Sequence, residues 1–150
     1  MTTNDPAGPC LAVSDNIIIS FNPVAIANAG ISVYAWKGMN AEEFDCIKSH
    51  VELGVRILKE SSEATRVILE MIATHHERYN GQGYPRALKG TQIPIFGRIA
   101  AIADCYDAMT SERVYAQAVS PSFAVRKLYE WRDIDFQAEL VEEFIQAIGI

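Results

Sequence analysis

The stretch from Asn40 to Lys59 reads NAEEFDCIKSHVELGVRILK, with apolar residues at Phe44, Ile47, Val51, Val55 and Leu58. Spacings of three and four place these on one face of an α-helix, so a helix is predicted over about residues 41–59. Asn40 can N-cap it, and Glu43 three residues later completes a capping-box-like start. Ser61 or Ser62 is expected to cap the next helix, whose apolar face is Ala64, Val67, Ile68, Met71 and Ile72. That helix runs into His75-His76 and is broken by the glycines of Asn80-Gly81-Gln82-Gly83.

The same periodicity continues toward the C-terminus. After a loop through Pro85, Gly90 and Pro94, a third helix carries Ile95, Ile99, Ile102, Tyr106 and Met109. Ser120-Pro121 reads as an N-cap followed by proline at the first helical position, opening a helix over about 121–131 with Phe123, Leu128 and Trp131 in its core face. Leu140, Val141, Phe144, Ile145 and Ile148 mark a last helix. Strand patterns are nearly absent, and the expected fold class is all-α.

Upstream the signal weakens. Residues 1–38 are punctuated by Pro6, Gly8, Pro9, Pro23, Gly30 and Gly38, and Ile17 to Phe21 reads equally as a short strand or a helix end. The division expected is a poorly defined segment 1–38 and a domain from 39 to 150.

Bulk composition narrows the function. Hydrophobic residues make up 49% and charged residues 21% of 150, enough for a buried core and against disorder. A net charge of −6 argues against a general nucleic-acid binder, which needs a broad basic face. Cys10, Cys46 and Cys105 are odd in number and lack CxxC spacing, so no disulfide framework is expected. No basic leader precedes an apolar run, and Ile17 to Ile19 is too short to span a bilayer. A cytoplasmic location without membrane attachment is the expectation.

The chemistry-bearing residues are few. His75 falls in the centre of the Ile68–Met71 stripe, His76 on its flank, and His50 on the flank of the first helix beside Gly54. Adjacent histidines point about 100° apart on a helix, so sharing one ion requires a site near the helix end. A lone buried histidine is usually a hydrogen-bonded structural residue. A terminal pair together with the chain's one other histidine favours a metal, with zinc, iron, manganese and nickel all open. Asp104 sits among Ala100, Ala101 and Ala108, either as a solvent-facing carboxylate or as one held near an ion by small neighbours. From Arg78 to Arg98 the chain carries Arg78, Arg86, Lys89 and Arg98 and no acidic residue. This is a solvated loop, or a field that draws a phosphate-bearing ligand.

The string His75-His76-Glu77-Arg78-Tyr79-Asn80-Gly81-Gln82-Gly83-Tyr84-Pro85 resembles the HHExxxGxGYP signature of the HD-GYP family. Leu88-Lys89-Gly90, Ile93-Pro94, Arg98-Ile99, Ile102-Ala103-Asp104, Tyr106-Asp107-Ala108 and Ser111-Glu112-Arg113 follow in the family's order. Glu42-Glu43-Phe44 and Lys48-Ser49-His50 match upstream. The resemblance implies a helical bundle of the HD-domain type and a metal-dependent bacterial signalling phosphodiesterase that opens cyclic di-GMP. It implies that His50, His75 and His76 bind one divalent metal, iron or manganese, and that Asp104 belongs to a neighbouring one. It further implies that Arg113 meets a substrate phosphate, with Gly83, Tyr84 and Pro85 shaping the loop over the pocket.

Four departures qualify that expectation. The family's His-Asp pair should lie upstream of Glu42, yet no histidine precedes His50; Ser14-Asp15 is at best a remnant. Its lost aspartate bridges two metals in the family. Ala116 replaces a second basic residue, and Phe136-Gln137-Ala138 replaces Phe-Asp-Pro. The chain also stops at Gly149-Ile150, earlier than the family does, as in a truncated or diverged copy. The expectation is therefore impaired hydrolysis. The alternative is a non-catalytic relic that binds a nucleotide, or a signalling protein through the Gly81–Pro85 loop.

Overall fold

In a computed structural model, the structure describes residues 41–60, 64–112 and 118–150. The helices are α1 (Ala41–Glu60), α2 (Arg66–Thr74), α3 (Ile95–Thr110), α4 (Pro121–Trp131) and α5 (Ala138–Ile148), with a 3₁₀ turn at Gly90–Gln92. Among the described residues there is no strand, only an isolated bridge between Arg132 and Phe136. The fold is an all-α bundle: α1 packs on α2, α2 on α3, and α3, α4 and α5 pack on one another.

Local chemistry sets the helix ends. Thr65 caps α2, its side chain accepting from the Ile68 N–H at 3.4 Å. This corrects the expected Ser61 or Ser62 start; both serines, like the Asn40 cap, lie outside the described residues. Ser120 caps α4 by accepting from the Phe123 N–H at 3.3 Å, with Pro121 just inside the helix, as its sequence predicts. Gly149 closes α5 in the left-handed conformation at φ 71°.

Ile102, Met109, Leu128, Trp131, Phe136, Val141 and Ile145 form the core with Ala101, Cys105 and Ala124. Phe123, expected in the core, is half-buried and stands outside this cluster, and the expected α3 stripe needs correcting too. Ile95 and Ile99 are each 41% exposed, and α3 instead buries Gly97, Ala101, Ile102, Cys105, Ala108 and Met109. The cause is close helix approach: a Cβ on Gly97 would lie 2.0 Å from Thr74 Oγ1, so small residues form that contact and the bulky ones turn outward. Among the described side chains of the α1 stripe, Ile47 and Val51 are buried.

Cys46 is disulfide-bonded, against the expectation drawn from the cysteine count, whereas Cys105 is free and buried. An odd count forbids pairing every cysteine, not pairing two. No helix among the described residues is long and apolar enough to cross a membrane.

Candidate functional site

Two helices deliver three imidazoles to one point. His50 comes from the middle of α1, while α2 ends at Thr74 and leaves His75 as its C-cap and His76 just beyond. Inside a continuous helix the adjacent histidines would diverge. At this terminus their ring centroids are 4.0 Å apart, and His50 lies 5.6 Å from His75 and 4.9 Å from His76. One ligand nitrogen from each histidine lies within 4.8 Å of the others.

Hydrogen bonds orient the rings. His50 Nδ1 meets Ile47 O at 2.5 Å, and His75 Nδ1 meets Ile72 O at 2.7 Å. A carbonyl oxygen only accepts, so each Nδ1 carries the proton and each Nε2 keeps a bare lone pair. His50 Nε2 and His76 Nε2 stand 3.0 Å apart. Nitrogens about 2.1 Å from one ion at right angles to each other would be separated by about that distance, so this pair fits a divalent cation, with His75 offering a third nitrogen within 4.8 Å. Burial, reinforced by the neighbouring His75, pushes the His76 pKa down to about 2, and burial also lowers that of His75. Both rings are therefore neutral and competent as ligands at neutral pH.

The loop after the histidines is held from below. Glu77, 1% exposed, accepts the N–H groups of Arg86 at 2.8 Å and Leu88 at 2.9 Å. A Cβ on Gly83 would come within 2.3 Å of the Arg78 backbone nitrogen, so only glycine fits this crossing. The crossing lets the Tyr84 N–H reach His76 O at 3.2 Å and stacks the Tyr84 ring on His76 at 4.7 Å. The Tyr84-Pro85 bond is cis. Asn80 donates to Asp135 Oδ1 at 2.9 Å, and the Tyr79 N–H donates to Asp135 O, tying the loop to the α4–α5 connection. Burial raises the Asp135 pKa.

The other predicted residues divide. Asp104, half-buried on α3, is outside the three-histidine cluster, although its charge reaches His75 and opposes that ring's downward shift. Arg113 and Ala116 lie outside the described residues, as does Asp15. The basic residues of the 78–98 stretch differ in their surroundings. Arg78 lies over the Phe136 ring at 5.4 Å, and Arg98 donates to Ile93 O and Gln137 Oε1 while Arg86 and Lys89 are exposed. Sequence reasoning missed the structural parts of Glu77, Asn80 and Asp135. Glu77 carried a signal, being an acid between the histidine pair and a glycine loop; Asp135, 55 residues from Asn80, carried none.

Residues 17–139 match the family described as “HD domain”. The chain belongs to that family, as an HD-GYP-like member. This HD-domain protein is 40% identical over 109 residues to a cyclic di-GMP phosphodiesterase of Thermotoga maritima, covering 72% of this chain and 30% of that protein. It is 33% identical over 108 residues to the cyclic di-GMP phosphodiesterase PA4108 of Pseudomonas aeruginosa, covering 72% and 26%. It is 38% identical over 109 residues to the 3'3'-cGAMP-specific phosphodiesterase 2 of Vibrio cholerae, covering 72% and 21%. The chain thus spans under a third of each relative's length. A crystal structure of a Vibrio cholerae cyclic GMP-AMP-specific phosphodiesterase aligns with TM-score 0.59 at 23% identity, over 84% of this chain and 31% of that one, and supports the all-α HD fold.

Proposed function

We propose that this HD-GYP-like domain is a metal-dependent phosphodiesterase for a cyclic dinucleotide, cyclic di-GMP first, whose hydrolysis is impaired by an incomplete ligand set. The convergence of His50, His75 and His76 at the end of α2 is the observation that carries this reading. These three would hold one divalent ion, iron or manganese by family, and only Asp104 would remain for a neighbouring one, too little to hold it tightly. An ion there supplies acidification of water and charge neutralisation at phosphoryl oxygens.

The chain's own residues do the rest. The Ile47 and Ile72 carbonyls fix the tautomers of His50 and His75, Tyr84 covers one face of His76, and Glu77 anchors the covering loop. Arg113 is assigned to a substrate phosphate by its place in the family's order. Impairment follows from charge: three neutral imidazoles bring no anion, and the chain has no histidine before His50 to supply the family's His-Asp pair.

That neutrality favours a second reading, a relic that binds nucleotide without turning it over. Of the Gly81–Pro85 loop, Gln82 and Pro85 are exposed and would be its surface toward a signalling protein. Product formation from cyclic di-GMP with added manganese or iron, beside calorimetric binding, separates the readings. Slow or undetectable turnover is expected, with binding that added metal strengthens and His76→Ala weakens. Robust turnover lost in His76→Ala would show that a residue in 1–38, Asp15 first, replaces the missing pair.

A further inference from the structure

We propose that the groove between α1, the end of α2 and the loop after Tyr84 is a second subsite, taking one purine nucleotide half of a cyclic dinucleotide. This rests on the reading of the chain as a cyclic-dinucleotide phosphodiesterase. The cavity has a volume of about 470 Å³, within the usual range for small-molecule sites. Val51, Val55, Ala73 and Pro85 give it an apolar lining.

Its charged residues are Arg56, Lys59 and Arg86 against the single acid Glu52, a formal 3 − 1 = +2 in a chain of net −6. None of the three cations is in an ion pair with a described residue, and all are exposed. Arg86 is also anchored, since its backbone N–H is held by the buried Glu77 carboxylate. An apolar lining with guanidinium groups beside it suits a base, because a guanidinium plane stacks on a purine and its edge donates to phosphate. An acidic peptide would use the cations but leave the apolar lining unexplained.

Position strengthens the assignment. Val51 follows His50 on α1, and Pro85 follows Tyr84, which stacks on His76. Consecutive Cα atoms are about 3.8 Å apart, so the groove begins one residue from the imidazole cluster on two separate elements. A cyclic dinucleotide has two nucleotide halves. With one phosphate at the imidazoles, the other half needs a place about one nucleotide away.

Calorimetry with cyclic di-GMP on the whole chain in chelator isolates the groove from the metal. The Arg56→Ala/Lys59→Ala double variant, and separately the exposed Arg86→Ala, should raise Kd by about tenfold or more, while Arg56→Lys retains part of the affinity. Helical circular dichroism should stay native. Unchanged affinity in these variants, or no binding in chelator, overturns the subsite. So does poly-glutamate competing as well as the nucleotide, which would give the groove to an acidic protein segment. Loss of every manganese-dependent effect with groove binding intact would sink the phosphodiesterase reading alone; groove variants without effect beside intact metal-dependent turnover would sink the subsite alone.

Discussion

His76 concentrates the physical argument at the residue scale. Its ring is nearly buried, with Nε2 3.0 Å from that of one histidine, packed on another and covered by Tyr84. With a folded pKa pushed down to about 2 against 6.5, the unfolded chain binds the extra proton first as pH falls. Stability is therefore full above pH 6.5 and declines below it, by about 1.4 kcal/mol per pH unit for this one group. Denaturant midpoints of the metal-free chain at pH 7 and pH 5 check this, and His76→Ala should flatten the dependence. Glu77 gives a second expectation. Glu77→Ala strips an acceptor from two backbone N–H groups and should cost about 1–3 kcal/mol in urea unfolding, with weaker metal binding as the loop over His76 loosens.

At the scale of elements, glycine placement decides which segments can touch. Gly83 crosses the His76–Arg78 backbone, and Gly97 meets Thr74. Gly97→Ala forces α2 and α3 apart and should cost about 1–3 kcal/mol as overpacking, read as a lower melting temperature. Gly83→Ala collides with backbone, which cannot rotate away, so it should abolish the Tyr84–His76 stack and lower metal affinity in titration.

The positions of α4 and α1 were legible because each depends on local spacing and a cap: α4 spans Pro121–Trp131 as its Ser-Pro start implies, and α1 runs one residue past the expected end, whereas the start of α2 falls at Thr65 and not at the serines before it. The outward turn of Ile95 and Ile99 was not legible, because it depends on how near α2 comes to α3. The meeting of His50 with His75 and His76 could be anticipated from helical phase and the loop signature. The Asn80–Asp135 tie could not, since nothing near either residue announces the other.

Across the whole molecule two regions divide the work. Leu128, Met109 and Val141, all essentially buried, hold α3, α4 and α5 together, so Leu128→Ala should cost about 2–5 kcal/mol without touching the histidines. The α1–α2 end carries the imidazoles, and among the described residues it buries fewer large side chains, so the loop clamp and whatever the imidazoles hold contribute to its order. Ion binding to the folded chain should then raise its stability by mass action. The direct test is elemental analysis of the whole chain purified without chelator, beside His76→Ala. The account predicts close to one divalent ion per native chain and almost none in the variant; two tightly held ions, or a metal content that His76→Ala leaves unchanged, would contradict it.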